Sequence, residues 1–175
     1  MTEQGKQDLG GAASACWERV TVFPLEHAAD TLPLGLLHDQ TLRSVTLTDE
    51  TLTLVFASEL YPEDLTDPSV YERYRDFRAC TLSVSLLPDG DSYCQMETAV
   101  SLRGRYRGLY LALRDAVPLL RQANAVRFLY AYPAMGALVI ELDVCFPDGD
   151  ACRPYWKYVS GRLTLSAARL TCEWQ

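Results

Sequence analysis

Two histidines, six cysteines and a repeated acidic tetrapeptide are the residues from which a reactive centre would have to be built. His38 is followed directly by Asp39, the pairing from which a general base is commonly made. A binuclear metal site opened by such a pair needs further histidines, and His27 is the only other imidazole, so metal-assisted hydrolysis is not expected. The enzymatic alternative is a small hydrolase or ligand-modifying enzyme with His38 as base and Asp39 beside it. It lacks a G-x-S-x-G elbow, and no cysteine carries a local nucleophile signature. The cysteines at 16, 80, 94, 145, 152 and 172 contain no C-x-x-C pair, so zinc is not expected and buried structural thiols are. Pro-Asp-Gly-Asp at 88–91 and 147–150 offers two carboxylates per loop, too few oxygens for a calcium loop. Both copies read as turns in which glycine supplies a positive φ that closes a hairpin. No Gly-rich phosphate loop is present, and no cofactor is expected.

The remaining candidates are binding residues. Arg103, Arg105 and Arg107 alternate along a long strand-like run, which would align them on one solvent face. The segment RPYWKY brings Tyr155, Trp156 and Tyr158 together, residue types enriched in interface hot spots. The chain carries a net charge of −7, which argues against nucleic acid or an anionic membrane as partner. The charge is unevenly spread. Residues 1–69 hold twelve acids against Lys6, Arg19 and Arg43, whereas residues 100–127 hold six arginines against Asp115 alone. A basic middle suits a protein partner with an acidic surface; it also suits attraction to the chain's own acidic front. No signal-like segment and no long apolar run occurs, so a cytoplasmic location is expected.

These residues need a scaffold, and periodicity describes one. At 175 residues the chain fits a single domain over residues 15–175, preceded by a polar, flexible tail at 1–14. CWERVTVF at 16–23 reads as a strand, and 24–37 as an irregular crossing. Residues 41–48 and 51–57 alternate as two strands joined by Asp49-Glu50. A helix over 67–77 has Asp67 as cap, Pro68 at its first position and a Val70, Tyr74, Phe77 stripe. Residues 81–86 alternate as a further strand. From Cys94 to Tyr110 the even positions are apolar and the odd ones polar, a strand or bent pair of strands with Tyr106 and Tyr110 on the inner side. A second helix over 115–123 has Asp115 as cap and Asn124 as stop. Strands follow around Val126–Tyr130 and Leu138–Phe146, with YPAMG as the turn between them. In the last run, Leu163 and Leu165 give way to Leu170, Cys172 and Trp174, which demands a bulge near 166–168. Together these describe an α+β, mostly antiparallel domain with two short helices, its sheet curled, folded as a sandwich, or closed as a partly open barrel.

Residues Leu37 to Phe56 resemble the opening hairpin of several families of small bacterial proteins, in which a His-Asp pair precedes a strand, an acidic turn and a second strand. Some of those families are assigned as immunity proteins that neutralise a toxin by binding it. The resemblance covers about a ninth of the chain and implies a non-enzymatic, protein-binding role in a bacterial cytoplasm, with His38 and Asp39 fixing the mouth of the hairpin. A small-ligand binder using a β-barrel mouth is the third reading.

Overall fold

The computed structural model describes residues 20–24, 32–57, 68–98, 108–134, 136–147 and 157–175. In chain order the elements are β1 (Val20–Pro24), α1 (Leu32–Gly35), β2 (Leu42–Leu47), β3 (Thr51–Ala57), α2 (Pro68–Tyr74), β4 (Ala79–Leu86), β5 (Tyr93–Thr98), β6 (Gly108–Ala112), α3 (Leu113–Gln122), β7 (Ala125–Ala134), β8 (Ala137–Cys145) and β9 (Tyr158–Trp174). Every strand pairing is antiparallel.

The last strand organises the sheet. β9 is 17 residues long, and each half of it has neighbours on both sides. Its C-terminal half lies between β1 and β4, and β4 continues to β3 and β2. Its N-terminal half lies between β8 and β5, which continue to β7 and β6. The result is two half-sheets of five strands sharing one strand, β1-β9-β4-β3-β2 and β7-β8-β9-β5-β6. The expected parity switch in β9 is real. Leu163, Leu165 and Ala167 are buried, then Leu170, Cys172 and Trp174, while Ala168 and Arg169 are both exposed. The register slips at the same point, with Arg169 opposite Ser85 and Ala167 opposite Leu86. An extra residue there bends the strand and lets it serve both half-sheets. The free edges meet at a single bridge, Thr41 to Arg127, so the sheet curls nearly round without closing.

The helices follow from this topology. β6 and β7 are opposite edges of one half-sheet, so the chain must cross its inner face between them, a span of roughly 19 Å at ~4.8 Å per strand. The ten residues of α3 cover about 15 Å of it. They bury Leu113, Ala116, Val117 and Leu120 against the core. α3 starts two residues before the expected position, directly out of β6, with Ala112 in extended geometry and no side-chain cap. Asp115 therefore sits in the first turn, where it complements the helix dipole rather than capping. Nor is Asn124 a left-handed stop: the chain turns extended at Ala123, and the Asn124 amide joins the Cys145 carbonyl. α2 is shorter than the expected 67–77, but its apolar stripe holds. Tyr74 lies 4.9 Å from Trp174 and 6.0 Å from Phe77, ring to ring. The crossing at 24–37 contains one helical turn, α1, and Asp67 and the 1–14 tail lie outside the described residues.

Four expectations about the strands and their turns need correction. The first Pro-Asp-Gly-Asp does not close a hairpin. β4 and β5 both run antiparallel to β9, end to end along the same side of it, so residues 87–92 link strands that continue in one direction. Gly90 is accordingly absent from the positive-φ residues; its role is close approach, since a Cβ there would collide with that of Ser166. Of the second copy, residues 148–150 lie outside the described residues. The run from Cys94 to Tyr110 is a pair of antiparallel strands, and its parity does not persist. Pairing Tyr110 with the outward Gln95 turns Tyr110 to solvent. Tyr130 also points outward, because a bulge between Phe128 and Tyr130 breaks the alternation from Val126. The turn after β7 is tighter than YPAMG, with Ala134 opposite Ala137 and Gly136 at φ 68°.

One core lies inside the curl. Phe56 of β3 meets Phe128 of β7 edge to face at 5.4 Å, joining the two half-sheets. Trp174, Leu82, Met96 and Leu138 are fully buried around them.

Candidate interaction face

The His38-Asp39 pair sits at the seam where the free edges meet. Asp39 adopts φ 62°, a left-handed conformation that Asp tolerates better than most side chains. That turn presents its amide to the Phe128 carbonyl at 2.8 Å, and the Phe128 amide returns a bond to Gln40 at 2.9 Å. The His38 Nδ1–H donates to the Leu129 carbonyl at 2.8 Å, which fixes the ring against β7. Its ring stacks at 5.0 Å on Tyr130, and its Nε2 faces the Asp39 carboxylate at 3.6 Å. The imidazole thus pins a distant strand rather than its own loop. The Asp39 carboxylate turns to that ring. These contacts hold no nucleophile; they are a fastening between β2 and β7. Among the described residues, no group of three or more His, Cys, Asp or Glu is placed to hold a metal. Also among them, no helix is long and apolar enough to cross a membrane.

The thiols are core groups. Cys80 and Cys172 are buried with sulfurs 3.3 Å apart, and that shared hydrogen bond together with burial raises the Cys80 pKa far above the ordinary range. Burial alone pushes Cys94 up to about 12. Neither is a thiolate at neutral pH, which removes them as nucleophiles. Cys145 is half-buried, and Cys16 and Cys152 lie outside the described residues.

Of the six binding candidates, only Tyr158 lies within the described residues; Arg103, Arg105, Arg107, Tyr155 and Trp156 do not. The strands nevertheless locate the ends of both candidate segments. The first leaves β5 after Thr98, opposite Val159, and returns at Gly108, opposite Glu97. The second follows β8, whose Cys145 is opposite Tyr158, and returns at Lys157. Both segments therefore spring from the same end of the β7-β8-β9-β5-β6 half-sheet. Connections at one end of a rigid sheet are the usual carriers of recognition.

A surface groove of about 390 Å³ opens at that end, lined by Arg127, Asp143, Cys145, Tyr158 and Ser160 among others. Tyr158 is 58% exposed, and the Lys157 ammonium sits 5.6 Å above its ring. The outward face beyond the groove bears two tyrosine pairs, Tyr130 with Tyr132 at 6.1 Å and Tyr93 with Tyr110 at 6.2 Å. Between them runs a polar strip in which Arg162 donates twice to Glu141, at 2.8 and 3.2 Å, and Gln95 donates to Glu97. A second groove, of about 400 Å³, lies beyond Ala125 between β2 and the end of α3. Sequence reasoning missed this face because the β5–β6 pairing and the bulge in β7, which turn Tyr110 and Tyr130 outward, leave no local signature. The excess of tyrosine, ten in 175 residues, was the only available hint.

No protein-family model, curated protein or solved structure matches the chain.

Proposed function

We propose that the protein is a non-enzymatic binding protein that captures a protein partner at the Tyr158 end of the β7-β8-β9-β5-β6 half-sheet. The observation that carries this reading is the groove containing Tyr158, which lies at the end of the half-sheet where the described strands flanking both candidate segments, the arginine-bearing 99–107 and the aromatic 148–156, begin and end. Exposed tyrosines on a rigid sheet supply large contact area at little conformational cost. Arg127 and Lys157 bring positive charge to this end, which an acidic partner surface complements, and Arg103, Arg105 and Arg107 follow β5 in the sequence. In its specific form the proposal follows the resemblance of the first hairpin: a bacterial cytoplasmic protein that neutralises a toxin by occupying it.

The test is capture from the native host, with wild-type protein compared with Tyr158→Ser and with Arg103→Glu/Arg105→Glu/Arg107→Glu. All should keep the wild-type circular dichroism. A partner retained by wild type and lost by both variants supports the role; a partner held equally by all three overturns it. Growth protection when the chain is co-expressed with a toxin from its own genomic neighbourhood tests the immunity form.

A further inference from the structure

The edge of β2 turned away from β3 is the place where the curled sheet fails to close. Beyond the Thr41–Arg127 bridge, β2 has no strand partner on this side among the described residues, and the groove of about 400 Å³ separates it from α3 and the start of β7. Arg121 reaches across and donates its Nε–H to the Val45 carbonyl at 2.9 Å. That bond shows which way the edge faces: in an extended strand a residue's N–H and C=O point to the same side, so the Val45 amide also opens into the groove. Among the described residues the lining includes Arg43 and Arg121 and no carboxylate, in a chain of net charge −7. Both arginines are exposed, as are Ser44 and Thr46.

We propose that this edge receives an extended acidic segment of the protein partner as an added β-strand. The inference rests on the binding role proposed above and names the form in which the partner's acidic chemistry is read. An open ladder supplies main-chain hydrogen bonds to any extended peptide, and the side chains beside it choose among peptides. Arg121 acts as a placeholder. An incoming N–H takes the Val45 carbonyl, and the guanidinium it displaces pairs with a carboxylate of the added strand, with Arg43 as a second cation on the same groove. Carboxylate binding by arginine is charge-assisted and bidentate, which favours Glu- or Asp-bearing segments over neutral ones. The groove adjoins the Tyr158 groove at Ala125, which lines both, so one partner reaches both.

The probe is a fluorescein-labelled octapeptide of alternating Glu and Thr, run beside its Lys-Thr counterpart and a Glu-Thr version N-methylated at alternate amides. Fluorescence anisotropy at low salt should show binding of the first peptide only, weakened about tenfold or more in Arg43→Gln/Arg121→Gln. Amide exchange at Val45, fast in the free protein, should slow when the peptide is bound. Absence of Glu-Thr binding, equal binding of the lysine or methylated peptide, or a Val45 amide already protected in the free protein overturns the proposal. Native-partner capture separates the two readings. Capture lost in Tyr158→Ser but intact in the double arginine variant sinks strand addition and leaves the binding role; capture intact in both sinks the role itself.

Discussion

β9 runs through both half-sheets, yet its outward side chains differ along its length. In the N-terminal half they are Tyr158, Ser160, Arg162, Thr164 and Ser166; in the C-terminal half they are Arg169, Thr171 and Glu173, with no aromatic among them. The neighbouring strands follow suit. Outside β1-β9-β4-β3-β2, one row reads Thr53, Ser83, Thr171 across three strands. Outside β7-β8-β9-β5-β6, the comparable rows bring in Tyr130, Glu141, Arg162, Gln95 and Tyr110. The inner faces are alike in being almost wholly apolar, aliphatic and aromatic residues with Cys80, Cys94, Met96 and Cys172 among them. Core packing therefore does not dictate the difference. Threonine and serine are enough for a strand whose outer face is merely wet, because a β-branched hydroxyl satisfies the pleat at small size. Large aromatic rings on the other face add contact area that the fold does not need, and the proposed binding role would use it.

If the two half-sheets share one core and differ only outside, the largest effect comes from the contact joining them. Phe56→Ala removes the edge-to-face partner of Phe128 and should cost about 3–5 kcal/mol in urea denaturation. Amide exchange in β3 and β8 should rise together. Loss confined to β3 would mean that the half-sheets unfold separately.

The next effect is one of pH. With Cys94 raised from 9.0 to about 12 by burial, the folded state keeps its proton where the unfolded chain loses it. Stability is full below pH 9 and falls as pH rises towards 12, by up to about 4 kcal/mol from this group. Cys80, also raised, contributes in the same direction. Cys94→Ala should flatten the alkaline slope of the unfolding midpoint; an unchanged slope would show that Cys94 has no part in it.

A smaller loss tests the link between the half-sheets on one side of β9. Gly90→Ala places a methyl against the Ser166 side chain, whose hydroxyl donates to the Asp91 carbonyl at 2.9 Å. The cost should be about 1–3 kcal/mol by thermal unfolding. Gly35→Ala meets no atom within 4 Å and should be neutral or better.

The sequence disclosed elements where one local period ran unbroken. Leu52, Leu54 and Phe56 alternate within a single paired strand, and both the β2–β3 hairpin and the slip in β9 were readable from such runs. What stayed hidden depends on partners distant in the chain. That β4 and β5 lie in line is decided by β9, some 80 residues later, and not by Pro-Asp-Gly-Asp, whose composition suits a hairpin equally well. Tyr110 and Tyr130 turn outward through a cross-strand register and a bulge. Of the candidate residues, Tyr158 was legible as a type, while the nearness of its strand end to those of β5 and β6 is a consequence of topology alone.

The smallest change in stability carries the sharpest contrast. Tyr158→Ser alters an exposed side chain, so its unfolding midpoint should move by no more than about 0.5 kcal/mol, while partner capture fails. Thr53→Ala, on the outer face of the other half-sheet between β2 and β4, should do the reverse. It loses a β-branched residue from a strand paired on both sides and costs up to about 1 kcal/mol, with capture unchanged. The pair tests the division of labour directly, because each variant is predicted to move the quantity that the other leaves alone. If Thr53→Ala weakened capture as much as Tyr158→Ser, recognition would extend over both half-sheets, and the contrast between hydroxyl and aromatic faces would reflect strand chemistry rather than function.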